Sequence, residues 1–138
     1  MTAQILDGRA LAKTMKGEIT AEVVQFEEEH GWAPGIAVVQ VGGDPASSWY
    51  VRQIRKTFKG VGMRYTLHAL GEETDAATLT QLLQKLNEDP RTNGIIVQKP
   101  LPQHLPQSLV SDVLDPGKDV DVCFGGKVAI TCIPIGLI

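Results

Sequence analysis

Two short apolar runs limit what this chain can become. G-I-A-V-V-Q-V at 35–41 is rich in β-branched residues and closes on the turn G-G-D-P, and G-I-I-V-Q at 94–98 is continuous and apolar until Gln98. Runs of this length and type read as buried strands, the second as one covered on both faces. Helical patterns lie before and between them. From Gly8 to His30 the apolar positions Leu11, Met15, Ile19, Val23 and Phe26 recur every three or four residues, with Asp7 placed to cap the start and Gly31 the end. A second helix is expected from about Ser47, its N-cap, to Lys59, ended by Gly60 and Gly62. M-R-Y-T-L-H-A-L then alternates as a strand. Thr74 is placed to cap a helix carrying Leu79, Leu82, Leu83 and Leu86, which stops before Pro90. After K-P-L-P a short helix around Pro106 to Val113 leads to the turn-rich D-P-G-K-D-V-D. Strands alternating with helices predict an α/β domain of three-layer type, a mostly parallel sheet flanked by helices, with ligands gathering beyond the carboxyl ends of the strands.

The totals narrow the function classes. With 138 residues, 43% of them hydrophobic, one core and one domain are expected. Thirteen basic residues against 16 acidic ones give a net charge of -3, which argues against a nucleic-acid surface. No apolar run approaches the ~20 residues a bilayer needs, and the N-terminus has no signal pattern, so the cytosol is the expected location. Cys123 and Cys132, with His30, His68 and His104 scattered along the chain, lack zinc-site spacing, and two reduced thiols are expected. No G-x-G-x-x-G or P-loop is present, which leaves Gly42, Gly43, Gly125 and Gly126 as turn residues.

Four features converge on one rim: the helix bearing Tyr50, the strand end at Gln98, the K-P-L-P turn, and the K-D-V-D loop. A carboxylate there, from Asp119 or Asp121, matches a flat ligand edge with two parallel N–H donors, such as a 2-amino-pyrimidinone. Gln98 supplies a donor and an acceptor from one amide, and Tyr50 an apolar ring with a polar tip. Such a rim suits a polar heteroaromatic ligand. Each residue also has a plainer reading: Tyr50 as a packed helix tyrosine that reaches water, Gln98 as the cap of a strand end, Asp119 and Asp121 as a solvated turn with Asx-type bonds. Ile54 shares a helix face with Tyr50, either as part of a ligand-facing surface that lacks a charge or as part of a buried seam.

The stretches V-G-G-D-P-A-S-S-W-Y-V, G-I-I-V-Q-K-P-L-P and D-P-G-K-D-V-D, with the opening I-L-D-G and the later L-N-E-D-P, resemble the signature blocks of the bifunctional methylenetetrahydrofolate dehydrogenase/methenyltetrahydrofolate cyclohydrolase family across residues 1 to 121. The resemblance implies oxidation of 5,10-methylenetetrahydrofolate with NADP, less often NAD, and hydrolysis of the methenyl form to 10-formyltetrahydrofolate. It implies that Tyr50 flanks the folate, Gln98 orients the catalytic lysine, Asp121 holds the pterin and Ser47 is the serine preceding the tyrosine helix. A homodimer is implied as well.

Three departures stand out. The family's Tyr-x-x-x-Lys pattern has Ile54 in the lysine's place, and Lys56 lies about 200° around the helix from it. Lys99 stands where the family has an apolar residue after the glutamine. It is either a solvated rim residue or an ammonium brought to the cavity from the strand side as a catalytic group in the gap left by Ile54. After Asp121, Val122 replaces a glycine and T-C-I-P-I-G is an altered match. Residues 1–121 are thus expected to be a folate-binding catalytic domain, and 122–138 an altered connection toward the family's NAD(P)-binding Rossmann domain, which this chain is expected to lack. Three roles remain open: the folate-binding half of the enzyme, a folate-binding module without catalysis, or a structural or regulatory domain.

Overall fold

The computed structural model describes residues 4–121, and the expectations placed on 122–138, including Cys123 and Cys132, lie outside them. Seven elements follow one another: α1 (Gly8–His30), β1 (Gly35–Val41), α2 (Pro45–Gly60), β2 (Arg64–Leu70), α3 (Ala76–Glu88), β3 (Gly94–Val97) and α4 (Leu109–Val113). The strands form one parallel sheet in the order β2-β1-β3, with Ile36 beside Tyr65 on one side and Val39 beside Val97 on the other. Every residue of β1 and β3 is buried, as expected of strands covered on both faces.

Alternation along the strands divides the core into two layers. Ala37, Val39, Val41, Ile95 and Val97 meet Leu79, Leu83 and Leu86 of α3 and Leu109 and Val110 of α4. Ile36, Val38 and Ile96 face the other way, onto Ile19 and Val23 of α1 and Val51, Ile54 and Phe58 of α2. Helix, sheet and helix therefore make the three layers.

The caps differ in part from expectation. Asp7 accepts from the amides of Arg9 and Ala10, and Gly31 closes α1 at φ 79, a conformation that costs a residue without a Cβ little. The α2 cap is Asp44 and not Ser47, because Pro45 supplies a preset φ one residue later and starts the helix early. Likewise Asp75, not Thr74, caps α3 through the Thr78 amide, while the Thr74 hydroxyl donates to the Gly71 carbonyl. The α1 stripe is only half used. Ile19 and Val23 are buried, but Leu11 is 61% exposed, so the first turns of α1 stand clear of the described core.

Candidate functional site

The carboxyl ends of β1 and β3 carry the candidate residues. Beyond β1 the chain turns at Gly42, whose φ of 84 favours glycine, and enters α2 through Asp44. Asp44 accepts the Ser47 amide at 2.8 Å. The Ser47 amide and hydroxyl together hold the Asp44 carboxyl below the usual carboxylate range. Ser47 thus serves the cap, one turn before Tyr50. Tyr50 is half-buried against the α2 side of the core. Loss of water raises its phenol pKa, and the Asp121 carboxylate raises it further.

Beyond β3 the Gln98 amide donates to the Val39 carbonyl at 2.8 Å, so strand geometry extends one residue past Val97. Gln98 is 7% exposed and, two residues beyond Ile96, continues the face turned toward α2. Its side-chain amide makes no hydrogen bond among the described residues and still reaches solvent. Lys99 is exposed and is followed by a cis peptide to Pro100.

The acidic loop is anchored from below. Lys118 donates through Nζ to the carbonyls of Leu86 and Asp89 at 3.0 and 2.8 Å, closing the end of α3. Asp119 is buried and bridges to Ile95, and its Oδ1 accepts the Asp121 amide at 3.2 Å. This is an Asx-type turn. The Asp121 residue remains open to water, yet its carboxyl is partly desolvated, which raises its pKa. Asp119 raises it further, and Lys99 opposes both. Asp121 is therefore coupled both to Tyr50 and to Lys99, the residue that follows Gln98.

Ile54 does not open onto this edge. It is 2% exposed and packs with Val51, Phe58, Ile36, Val38 and Ile96, so the face it shares with Tyr50 is a buried seam whose polar end is Tyr50. Lys56, on the other flank, is exposed. A groove of about 840 Å³ opens at the same end of the sheet, against Gly42, Gly43, Asp44, Glu72, Leu101 and His104. Tyr50, Gln98 and Asp121 are not among its walls.

Sequence reasoning missed Gln40. It is 7% exposed, and its Nε2 donates to Ser48 Oγ of α2 at 3.2 Å. A carboxamide inside an otherwise apolar strand is the signal that would have found it, since a buried amide needs a partner. Among the described residues no cluster of metal-ligating side chains occurs, and no helix is long and apolar enough to cross a membrane.

A parallel sheet in the order β2-β1-β3 flanked by helices is an open α/β sheet, a class whose ligands bind beyond the carboxyl ends of the strands. The family described as tetrahydrofolate dehydrogenase/cyclohydrolase, catalytic domain, matches residues 6–121, and the chain belongs to it. It is 46% identical over 121 residues to a bifunctional protein FolD of Herpetosiphon aurantiacus, covering 88% of this chain and 42% of that protein. Among solved structures, a 5,10-methylenetetrahydrofolate dehydrogenase of the silkworm Bombyx mori is 37% identical with a TM-score of 0.79, covering 87% of this chain and 41% of that one. The FolD of Trypanosoma brucei, complexed with NADP cofactor and inhibitor, is 33% identical with a TM-score of 0.77, over 86% and 41%. The chain thus spans less than half the length of each of these relatives.

Proposed function

We propose that this chain is the folate-binding half of a bifunctional enzyme that oxidises 5,10-methylenetetrahydrofolate to the methenyl form with NADP and hydrolyses the product to 10-formyltetrahydrofolate. The observation that carries this reading is the match of the tetrahydrofolate dehydrogenase/cyclohydrolase catalytic domain to residues 6–121, supported by the carboxyl-end position of Gln98 and by the electrostatic coupling of Asp121 to Tyr50 and Lys99. In it, Asp121 accepts from the paired N–H donors of the pterin edge, Tyr50 lies against the ring, and Gln98 presents donor and acceptor to the reacting side. Lys99 supplies the positive charge that polarises the attacking water, in place of the lysine that Ile54 replaces. Ser47 contributes indirectly, by holding the cap of the helix that carries Tyr50.

The described residues do not fit a dinucleotide. The first turn of α2, where a pyrophosphate would find unbonded amides, is already occupied by the Asp44 carboxylate. Hydride transfer to NADP therefore calls for residues other than these. A cytosolic homodimer serving purine synthesis completes the proposal.

The burial of Ile54 favours a second reading, a folate-binding module without catalysis. Hydrolysis of methenyltetrahydrofolate by the chain, run beside Lys99→Ala and Ile54→Lys, separates the two. Turnover that disappears in Lys99→Ala supports the enzyme. Turnover unaffected by Lys99→Ala removes Lys99 from the mechanism, and a gain confined to Ile54→Lys supports the module.

A further inference from the structure

A second recess lies toward the amino ends of β1 and β2, away from the strand end that carries Gln98. Along β2 the alternate residues Arg64, Thr66 and His68 share a face with Leu70, which packs in the α3 layer. Opposite them α3 presents Lys85 and Asp89, one turn apart, and Arg91 joins from the loop after α3. The cavity between these walls is about 200 Å³.

Its charge is opposite in sign to that of the chain, which totals -3. Arg64, Lys85 and Arg91 surround a single carboxylate, Asp89, and none of the three is ion-paired among the described residues. Asp89 is already engaged, accepting the Thr92 hydroxyl at 2.7 Å and the Arg91 amide at 3.0 Å. Two of the cations are anchored. Arg64 donates through Nε to the Ala33 carbonyl at 3.2 Å and through an Nη to the Arg91 carbonyl, and a Cβ on Gly35 would come within 2.6 Å of the same guanidinium. A guanidinium has five N–H donors, so part of the fork remains for a ligand. Arg91 lies over the Trp32 ring, 5.3 Å from its centroid. Burial, and after it Lys85, lowers the His68 pKa, so its imidazole is neutral at pH 7 among Arg64, Lys85, Asp89 and Arg91.

Fixed guanidinium forks suit oxyanions, phosphate above all. The volume falls below the ~300–1,000 Å³ of pockets that enclose drug-sized ligands. We propose that the recess between α3 and β2 binds the phosphate group of a small molecule through Arg64, Lys85 and Arg91. The Arg64 fork fixes the orientation of the phosphate, and Lys85 and Arg91 supply the balancing charge. The proposal does not rest on the folate reading, since this recess is on the α3 side of the sheet and Gln98 continues the face toward α2.

The test is a titration of the whole chain with inorganic pyrophosphate, followed by the NMR signals of the His68 imidazole, with citrate and sodium chloride at matched ionic strength as parallel arms. Pyrophosphate should move those signals along a saturable curve and raise the His68 pKa, because a bound anion favours the imidazolium. Lys85→Gln and Arg91→Gln, both at exposed positions, should each weaken binding about tenfold, the scale of one charged hydrogen bond, when read against their own ligand-free spectra. Lys56→Gln, on the far side of the sheet, should leave it unchanged. Absence of saturation, an unchanged Kd in both Lys85→Gln and Arg91→Gln, or a shift that sodium chloride reproduces overturns the site. Citrate binding as tightly as pyrophosphate overturns the assignment to phosphate.

Discussion

Replacing Ile54 by the family's lysine tests whether this helix face is a seam or a site. Ile54 is 2% exposed between α2 and the sheet. Removing its apolar burial forfeits about 1.5–3 kcal/mol, of which the lysine stem restores a part. The polar groups of that layer, the Tyr50 phenol and the Gln40 and Gln98 carboxamides, are neutral and do not replace the hydration an ammonium loses on burial. A drop of about 3 units in its pKa, ordinary for a buried lysine, adds about 4 kcal/mol at pH 7. Roughly 4–5 kcal/mol of lost stability follows, against a total of about 5–15 for a domain of this kind. In urea the midpoint should fall by about 2 M if m is about 2 kcal/mol/M. The pH dependence is specific to the mechanism. Between the lowered folded pKa and the ordinary value of about 10.4 the unfolded chain binds more protons, so stability rises with pH. The deficit should shrink by about 2 kcal/mol from pH 7 to pH 9. Ile54→Val, which deletes one methyl group, should cost about 1 kcal/mol with no such dependence. A deficit for Ile54→Lys below about 1 kcal/mol and flat with pH would refute the burial argument, because it would mean that the new ammonium reaches water.

Other expectations concern the charges at the strand ends and the helix caps. Asp121→Asn should lower the Tyr50 pKa toward its ordinary value without restoring it fully, since burial is the larger cause; ultraviolet titration reads this, and an unmoved phenol would place the two apart. Lys99→Ala should raise the Asp121 pKa further, as followed by carboxyl carbon NMR, and no rise would put Lys99 out of reach of the site. Asp44→Ala should lower Tm more than Ser47→Ala, because the Asp44 carboxylate is the cap and Ser47 only its donor; the reverse order would restore Ser47 as cap. Asp44, Asp75 and Asp89 all titrate below 3.8 in the fold, so the stability they give is present above that value and is lost as pH falls through their folded pKa values. Acid unfolding followed by circular dichroism should therefore start at lower pH in the triple Asp→Asn variant than its neutral-pH stability would imply, and an unchanged acid profile would contradict this.

Much of the fold was legible because period and punctuation agreed. The β-branched runs at 35–41 and 94–98, the Asp7 and Gly31 boundaries and the leucine face of α3 each follow from side-chain chemistry within a few residues. The caps at Asp44 and Asp75 were placed late because serine and threonine cap as readily as aspartate, and only the path of the backbone decides which oxygen meets the amides. Leu11 belongs to the apolar stripe of α1 yet is exposed, because a stripe shows which face is apolar and not how far its cover extends. At the site, Tyr50, Gln98 and Asp121 were visible through the signature blocks. The bond from the Asp121 amide to the Asp119 carboxylate makes an Asx turn that two alternating acids do not announce. Gln40 is not announced by the sequence because its run reads as a buried strand with or without it, and its partner, Ser48, lies eight residues later.

Whether Tyr50, Gln98 and Asp121 open onto one folate cleft is tested most directly by an NMR titration of the chain with tetrahydrofolate, watching the Tyr50 ring, the Gln98 side-chain amide and the Asp121 carboxyl. All three signals should move together along one saturable curve with a single Kd. Saturation that moves none of the three, or no saturation at all, would contradict the account.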